Sequence, residues 1–556
     1  MIGAEAKISN GYAAYQSGDL ATARKLLEPV PHPQAWHLLG LVERKAGRFD
    51  RANQWLNKAE KKDPRNPEIA NNQGRVAMDA GDGVRAEACF RRALNLRPDW
   101  PPAVAGLARS LNEQKRWREA VPVWETAIRL TPNDRSTRYY AAMATLETGQ
   151  VEQAAQLFDG LIQAGLQDPA VYFMRGRARV GLSDIAGAMA DFQHAWRAQK
   201  TGHTLRNLSN MLWMLGDDAG FHDLMATVPD PLGGLKMYLL WKSGDSDAAL
   251  EAWQALPEAY RNDPETLASK SNIHRERGEA DLALETAHQA QAIAPGKDTI
   301  DYALAGAQLM QGDPAAALRT VKPWRRKEPN VQSWIALEAT ALRLADPDKY
   351  AALVQMDRFV RAFELPLPKG FASIQDFNAA LIAAIAPNQT FARRPLDQTL
   401  RGGTQTARDL VHAPDPVIQA YLQALDAPIR AYLAEIGHQA DHPLTRRNTG
   451  AYRFNGCWSV TLKGGGRHVN HVHPNGWISS AYYASVPEET LAGASKAGWI
   501  KFGEPPFTTT PELGPEKWVQ PKPGMLVLFP SFMWHGTDPI SDGSERVTVP
   551  FDLVPD

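Results

Sequence analysis

Residues 467–487 read R-H-V-N-H-V-H-P-N-G-W-I-S-S-A-Y-Y-A-S-V-P, residues 521–537 read P-K-P-G-M-L-V-L-F-P-S-F-M-W-H-G-T, and residues 544–551 read S-E-R-V-T-V-P-F. His471 and His473 are two positions apart, so on a predicted strand both imidazoles leave the same face. A third histidine, His535, follows an apolar run, and Arg546 and Thr548 are again two apart. Three imidazoles and one cation on strands indicate a metal site beside an anion site.

These motifs resemble the catalytic core of the 2-oxoglutarate and iron(II)-dependent oxygenases. In that family a His-x-Asp pair, a distant His and an Arg-x-Ser/Thr pair occur in this order, and His471, His535, Arg546 and Thr548 match it. The stretch P-L-D-Q-T-L-R-G-G-T-Q-T at residues 395–406 extends the resemblance to a bacterial group that often carries tetratricopeptide repeats. The chain departs from the pattern at one point, since His473 stands where the family has its carboxylate ligand.

The resemblance implies Fe(II) and 2-oxoglutarate as cofactors, and the oxidative decarboxylation of 2-oxoglutarate to succinate and carbon dioxide during hydroxylation of a substrate. It implies that His471 and His535 bind the metal, with no catalytic side chain beyond the metal centre, and His473 is expected to be the third ligand in place of the carboxylate. The sequence leaves three arrangements open. His473 is a third ligand, or it lies behind the ligands, or His468 or Asp538 takes its place.

Arg546 is expected to bind the distal carboxylate of 2-oxoglutarate, because the guanidinium fork can engage a carboxylate bidentately. Thr548, on the same face, would add a hydroxyl donor. The competing interpretation pairs Arg546 with a surface acid such as Glu545. Tyr482 and Tyr483 must point to opposite faces of their strand, and counting from the histidine pair favours Tyr483 as the side chain that enters the barrel.

Length, charge and cysteine usage limit the function classes. A chain of 556 residues is too long for one core. Acidic and basic residues number 62 and 61, which does not favour nucleic acid as a partner. Cys89 and Cys457 lie far apart in the sequence, so a disulfide framework is not expected. No apolar run approaches the roughly 18 residues that span a bilayer, and a soluble cytoplasmic protein is expected.

Residues 1–365 are predicted to form an all-α tetratricopeptide-repeat superhelix of about ten to eleven units, with a degenerate register near residues 203–270. Small residues, bulky residues and prolines recur at a period of 34. The recurring positions are Pro64, Pro98 and Pro132; Ala52, Ala86, Ala120, Ala154 and Ala188; and Leu56, Phe90, Trp124, Phe158 and Phe192. The concave face of such an array is expected to bind a peptide or protein. Alternatively, part of the array packs on the catalytic domain or assembles a homo-oligomer and binds no substrate.

Residues 366–556 are predicted to form the oxygenase-like domain, with the boundary in L-P-L-P-K-G at residues 365–370. The pattern predicts helices over 371–386 and 415–437, a tight polar turn at 401–404, and a β-core over about 448–556 that forms a double-stranded β-helix or jelly roll. The predicted strands are 451–462, 468–473, 478–486, 499–502, 525–529 and 546–553.

Three functions are compatible with this organisation. The first is a hydroxylase acting on a peptide or protein that the repeats capture. The second is a non-catalytic repeat scaffold with a silent metal-binding barrel, suggested by the missing carboxylate. The third is a small-metabolite oxygenase that uses the repeats for assembly.

Overall fold

The computed structural model describes residues 3–389, 391–406, 409–493 and 495–556. The chain divides into two compact units, of which the first ends at Ala195 and the second runs from Trp196 to Asp556. The first unit is helical, and the second consists of helices followed by an antiparallel β-domain. This confirms the predicted order of helical repeats and β-domain. Among the described residues, no helix is both long and apolar enough to cross a membrane.

The first unit is built from helices of 8–14 residues that follow one another at short intervals. Asparagine or aspartate often precedes the first turn; for example, Asp82 accepts a hydrogen bond from the backbone N–H of Arg85. The helices are α1 (Ala4–Ser17), α2 (Leu20–Leu27), α3 (Pro33–Lys45), α4 (Phe49–Glu60), α5 (Pro67–Asp79), α6 (Gly83–Leu96), α7 (Pro101–Glu113), α8 (Trp117–Leu130), α9 (Arg135–Glu147), α10 (Val151–Gln163), α11 (Pro169–Gly181) and α12 (Ile185–Ala198).

Close helix packing explains the alternation of small and bulky residues. A Cβ atom at Gly74 would lie 2.7 Å from the ring of Phe90, and one at Gly106 would lie 2.4 Å from the same ring. Neither glycine has room for a side chain, so Phe90 of α6 fills the space against both α5 and α7. Leu56 has the same relation to Gly40, where a Cβ would lie 2.5 Å away.

Replacing Phe90 with alanine should therefore destabilise the first unit. The ring is buried, and removing it leaves a cavity that two glycines cannot close, at a cost of about 3–5 kcal/mol. Urea unfolding followed by circular dichroism should show a lower midpoint for Phe90→Ala. Val84→Ala on the same helix is the control, because Val84 is 69% exposed. Equal midpoints for the two variants would contradict the packing described above.

The helices at the start of the second unit are shorter than those around them. Helices α14 and α16 have nine residues each, and the four-residue α17 is inserted before the next pair. These short elements account for the weak register near residues 203–270. The helices are α13 (Gly202–Leu215), α14 (Asp218–Ala226), α15 (Gly233–Ser243), α16 (Ser246–Gln254), α17 (Glu258–Arg261), α18 (Pro264–Glu276), α19 (Ala280–Ile293), α20 (Asp298–Met310), α21 (Pro314–Lys327), α22 (Gln332–Ala345), α23 (Pro347–Val354) and α24 (Met356–Phe359).

The β-domain contains two antiparallel sheets. The larger has the strand order β1-β8-β5-β10-β4-β2, with β11 joining β5 to β3, and the smaller has the order β7-β6-β9. The strands are β1 (Arg361–Glu364), β2 (Leu400–Gln405), β3 (Tyr452–Cys457), β4 (Val460–His468), β5 (Ile478–Ser485), β6 (Ile500–Phe502), β7 (Lys517–Val519), β8 (Met525–Pro530), β9 (His535–Thr537), β10 (Glu545–Thr548) and β11 (Phe551–Pro555). The helices of this region are α25 (Ile374–Ile385), α26 (Pro416–Ala424), α27 (Asp426–Ile436) and α28 (Glu488–Ala492).

Helices α25–α27 cover the larger sheet and share one core with it. Two buried tyrosines fasten this layer, since the Tyr421 hydroxyl donates to Val549 O at 2.6 Å and the Tyr432 hydroxyl donates to Phe359 O at 2.8 Å. The Trp477 indole N–H donates to Leu444 O at 2.8 Å. These three buried polar groups therefore each have a backbone partner.

Two predicted strands are divided in the structure. The predicted strand 546–553 breaks at Pro550, which has no N–H for a ladder, and β10 pairs with β4 and β5 whereas β11 pairs with β3 and β5. The predicted strand 451–462 breaks between Cys457 and Val460, where the backbone N–H of Trp458 donates to Pro550 O. Because of these breaks, residues that are close in sequence pair with different neighbouring strands.

The predicted turn at residues 401–404 is wrong, because these residues lie within β2. The strand pairs with β4, with a register shift between Arg401 and Gly403. Gly402 has a φ of +65°, and a Cβ at Gly403 would lie 2.3 Å from Thr461 O. The two glycines are therefore required by a bulged strand that approaches its neighbour closely.

Candidate metal centre

The three histidines converge although two of them are not on a strand. The predicted strand 468–473 is wrong, since β4 ends at His468 and His471 forms only an isolated antiparallel bridge with His535 at the start of β9. Their backbones exchange hydrogen bonds of 2.9 and 3.0 Å, and the His473 N–H donates to Ser531 O at 3.0 Å. One ring nitrogen from each histidine lies within 4.8 Å of the others. The irregular backbone thus brings the rings together, rather than strand alternation.

Each histidine of the triad has its Nδ1 engaged. The Nδ1 of His471 is 2.8 Å from Val469 O, and that of His535 is 2.9 Å from Met533 O. The Nδ1 of His473 is 2.7 and 2.8 Å from the two carboxylate oxygens of Asp552. Because carbonyl and carboxylate oxygens only accept, each Nδ1 carries the proton and each Nε2 presents a lone pair.

The Nε2 atoms of His471 and His473 lie 3.2 Å apart. Two lone pairs that face each other at this distance repel. A metal ion bound by both nitrogens would replace this repulsion with two attractive contacts. Imidazole nitrogens bind iron as well as zinc, copper and nickel. The donor set therefore suits a transition-metal ion of the kind that an oxygenase uses.

Burial keeps the imidazoles of His471 and His535 neutral. It lowers the pKa of His471 to about 3, and the neighbouring His473 acts in the same direction. Burial also places the pKa of His535 well below its usual range, with His471 as the next cause. A metal ligand must be deprotonated, so the two rings are in the binding form at neutral pH.

The other residues considered from the sequence lie outside the triad. The ring of His468 is 5.9 Å from that of His471, and among the described residues the cluster of convergent donors consists of His471, His473 and His535. Asp538 accepts from the Trp518 indole N–H at 3.2 Å and lies 3.6 Å from the Lys501 ammonium. Its carboxylate therefore interacts with Trp518 and Lys501 and not with the three histidines.

Asp552 is the residue that sequence reasoning missed. It lies on β11 opposite Ser479 of β5, and the Ser479 hydroxyl donates to its Oδ1 at 2.7 Å. Ser479 and Ser531 hydroxyls are 2.8 Å apart, which ties the carboxylate to the loop that precedes His535. A lone acid between Phe551 and Leu553, in a buried strand, is the signal that could have revealed it.

Removing the Asp552 carboxylate should weaken metal binding. Groups that orient a ligating histidine typically contribute 10–100-fold to affinity, so Asp552→Ala should raise the dissociation constant for anaerobic Fe(II) about 10–100-fold by calorimetry. Asp552→Asn keeps an acceptor for Nδ1–H and should lose less. Asp542→Ala, at an exposed turn residue, should bind like the wild type. Unchanged affinity in a folded Asp552→Ala protein would contradict the role of this carboxylate.

Arg546 is a buried cation that has no acidic partner among the described residues. Its Nη1–H donates to Gly498 O at 2.6 Å, and its Nε is buried with no hydrogen-bond partner in the described part of the chain. No ion pair joins it to a described carboxylate, so the predicted alternative with Glu545 is not what the structure shows. Arg546 acts electrostatically on His468, whose ring is beside that of His471. An unpaired buried guanidinium near the histidines suits an anionic ligand.

Thr548 and Tyr483 accompany Arg546. Thr548 is buried, and the regular pairing of β10 with β4 places it on the face of Arg546. The Tyr483 ring lies 5.7 Å from the Arg546 guanidinium, and burial raises the pKa of its phenol to about 12. Tyr482 points the other way and donates to Asn378 Oδ1 at 2.5 Å. The structure therefore groups Tyr483, rather than Tyr482, with the arginine.

His471 opens onto a cleft of about 1500 Å³. One wall consists of α15, α18 and α20, with residues such as Tyr238, Arg275 and Tyr302. The other wall consists of the segments 396–401, 469–475 and 506–507 together with Trp534. The repeat helices of the second unit and the histidine-bearing loop thus face the same space.

Direct contacts hold the repeat helices of this unit against the β-domain. The Trp534 indole N–H donates to Thr340 Oγ1 at 2.8 Å, and the backbone N–H of Gln332 donates to Pro474 O at 3.2 Å. Arg343 Nη1–H donates to Gly503 O at 3.0 Å. Part of the array is therefore packed on the β-domain, which is the packing that one of the alternatives drawn from the sequence predicted.

Three parts of the chain match known families. Residues 456–552 match a family described as "Putative 2OG-Fe(II) oxygenase". Residues 8–67, 37–103, 71–135 and 105–169, and separately residues 300–322, match tetratricopeptide-repeat families. The chain thus carries tetratricopeptide repeats and a domain of the 2-oxoglutarate/Fe(II) oxygenase type.

Individual proteins are similar to parts of the chain. "Protein CTR9 homolog" of Arabidopsis thaliana is 22% identical over 332 residues, or 50% of this chain and 30% of that protein. "Tetratricopeptide repeat protein 33" of Homo sapiens is 26% identical over 137 residues, or 23% and 49%. The chain therefore spans less than half the length of each. The solved structure of Pseudomonas aeruginosa pilF matches 40% of this chain and 96% of its own at 19% identity, with a TM-score of 0.33.

Proposed function

We propose that the chain is an Fe(II)- and 2-oxoglutarate-dependent oxygenase that hydroxylates a peptide or protein segment held by its repeats. The observation that carries the proposal is the triad itself. The Nδ1 atoms of three histidines are engaged in hydrogen bonds, and their remaining nitrogens lie within reach of one point. The triad lies at the side of a cleft that has repeat helices as one of its walls.

In this proposal His471, His473 and His535 hold the metal. Arg546 binds the distal carboxylate of 2-oxoglutarate, and Thr548 and Tyr483 lie beside it. When bound, iron and 2-oxoglutarate supply the oxidation, in which one oxygen atom of O₂ enters a substrate C–H bond and the other enters succinate as carbon dioxide leaves.

The protein contributes orientation and an apolar surface. Asp552 fixes the His473 ring through both carboxylate oxygens. The aromatic rings of Phe507 and Trp534, with centroids 6.5 Å apart, line the cleft together with residues of the histidine loop and give this part of its wall an apolar surface. No further acid or base is needed for the proton balance of hydroxylation.

The dimensions of the cleft support a peptide-sized substrate. Small-molecule sites usually measure about 300–1,000 Å³, less than the volume observed here. Several repeat helices contribute side chains to the same wall, as expected of a segment bound along the array. Binding beside the metal would raise the local concentration of the target residue.

Replacing Arg546 with methionine should impair 2-oxoglutarate binding. Loss of a buried charge partner typically costs about 2–5 kcal/mol, so KM for 2-oxoglutarate in uncoupled succinate formation should rise roughly 30-fold or more, while Fe(II) affinity stays unchanged. Arg546→Lys keeps a point charge and should be impaired less. Arg453→Met, at an exposed position on β3, is the control. An unchanged KM in Arg546→Met would remove Arg546 from the oxoacid site.

The central experiment measures succinate from the full chain with Fe(II), 2-oxoglutarate, ascorbate and O₂, with and without cell extract. Succinate that disappears in His471→Ala and His535→Ala would support the oxygenase. Tight Fe(II) binding without succinate under either condition would contradict it and favour the non-catalytic scaffold. Stimulation by the small-molecule fraction of the extract alone would favour a metabolite substrate over a peptide.

A further inference from the structure

The wall of the cleft formed by the repeats contains a cation that the metal centre does not use. Arg275 of α18 lines the cleft, and its Nη1 is buried without a hydrogen-bond partner among the described residues. Its guanidinium lies 4.6 Å from the Phe507 ring and 5.8 Å from the Tyr302 ring. A Cβ at Gly306 would lie 2.0 Å from Nη1, so the absence of a side chain there admits the guanidinium. The charge is thus fixed in place by aromatic and backbone surfaces, not by an acid.

Lys242 of α15 is a second cation of the same wall. Its ammonium lies 3.5 Å from the centroid of the Trp241 ring, and in the described part of the chain it makes no hydrogen bond or ion pair. Burial lowers the pKa of Lys242 to about 8; the nearby Arg401 and Arg275 lower it too, whereas Glu276 and Asp397 oppose them. Lys242, Arg275 and Arg401 therefore lie close enough to repel one another.

The acids around this group are already engaged. Asp397 accepts from the Tyr238 hydroxyl at 2.7 Å and from Arg206 at 3.5 Å. Glu276 accepts from the Trp241 indole N–H. Asp263, farther along α18, caps the helix through the N–H and hydroxyl of Thr266. The acids have donors, whereas the Lys242 ammonium and the Arg275 Nη1 have no acceptor among the described residues, and both side chains line the cleft.

We infer that Lys242 and Arg275 form a carboxylate-binding subsite, and that the substrate is a peptide with an acidic residue near the position that is oxidised. This inference rests on the proposed function, because it assigns the substrate class of the same site. Phe507 connects the two regions, since its ring contacts Arg275 on one side and Trp534, next to His535, on the other.

The charge distribution of the cleft favours an acidic peptide over a nucleic acid. Besides the cations, the cleft is lined by Asp263, Glu265, Asp298 and Glu328. These acids would repel a continuous phosphate backbone. A peptide can place a single carboxylate at Lys242 and Arg275 and neutral or basic residues elsewhere.

The test is direct binding to the full chain, followed by fluorescence anisotropy. The probes are a short fluorescein-labelled alanine-rich peptide with a single central Glu, and the same peptide with Gln in place of that Glu. The acidic peptide should bind, and at low salt it should bind at least about tenfold more tightly than the Gln peptide. Lys242→Met and Arg275→Met should each remove most of this difference.

A matched control is available on α18. Lys270 also holds its ammonium over an indole, 3.6 Å from the Trp253 centroid, but it does not line the cleft. Lys270→Met should bind the acidic peptide like the wild type. Circular dichroism checks the folding of each variant, and the Glu-to-Gln comparison on the wild-type protein tests the subsite without any mutation.

The pH dependence supplies a second readout. The Lys242 ammonium is the form that attracts a carboxylate, so affinity for the acidic peptide should fall as the pH rises from 7 to 9 through its pKa of about 8. The titratable groups that face it are Tyr238, Arg275, Glu276, Asp397 and Arg401. The arginines stay charged over this range, and burial and Asp397 raise the pKa of the Tyr238 phenol above its usual value. Lys242→Met should abolish this dependence and Lys270→Met should keep it.

The outcomes separate this inference from the proposed function. Equal binding of the Glu and Gln peptides, or binding unaffected by Lys242→Met and Arg275→Met, would overturn the subsite even where Fe(II) and 2-oxoglutarate binding and succinate formation are intact. Preferential displacement of the probe by single-stranded polyuridylate would also overturn it, in favour of a nucleic-acid ligand. Selective acidic-peptide binding without succinate would leave the subsite standing and contradict the oxygenase.

Discussion

The site depends on the engagement of three Nδ1 atoms, each by a fixed oxygen acceptor. Two of these acceptors are backbone carbonyls two residues before the histidine in sequence, Val469 O for His471 and Met533 O for His535. The third is the carboxylate of Asp552. Since each bond fixes both the tautomer and the orientation of a ring, the direction of the Nε2 lone pairs is determined by the fold before any ligand arrives.

His473 stands where the His-x-Asp pattern has its carboxylate, but a carboxylate still lies next to the triad, at Asp552. The negative charge is on Asp552, whose carboxylate accepts a hydrogen bond from Nδ1 of the His473 imidazole and would not contact the ion. A metal held in this way would have three neutral ligands, with Asp552 raising the basicity of one of them. The carboxylate is held in turn by Ser479, on the strand that pairs with β11. The arrangement therefore depends on strand pairing between segments more than 70 residues apart in sequence.

The sequence predicted the fold class and the grouping of histidines, because repeats and motifs are local patterns. The prediction of helical repeats followed by an antiparallel β-domain is confirmed. The strand at 468–473 was wrong, since alternating residues there are fixed by a single bridge to His535 and not by a ladder. The turn at 401–404 was wrong for a related reason, as Gly402 and Gly403 serve a bulged strand. The role of Asp552 was missed because its contact with His473 joins residues 79 apart in sequence, although a lone acid in a buried strand is a signal for it. The proposed roles of Arg275 and Lys242 depend on the three-dimensional lining of the cleft, which sequence patterns do not show.

The contacts between repeats and β-domain bear on whether the array is a scaffold or part of the site. Helix α22 contacts both histidine-bearing segments of the β-domain, through Thr340 to Trp534 and through Gln332 to Pro474. Trp534 precedes His535, and Pro474 follows His473. A ligand that shifted α22 would therefore act on two of the three imidazoles through the backbone. The same helices can therefore both pack on the β-domain and bind a substrate. Their packing is not evidence that the repeats serve assembly alone.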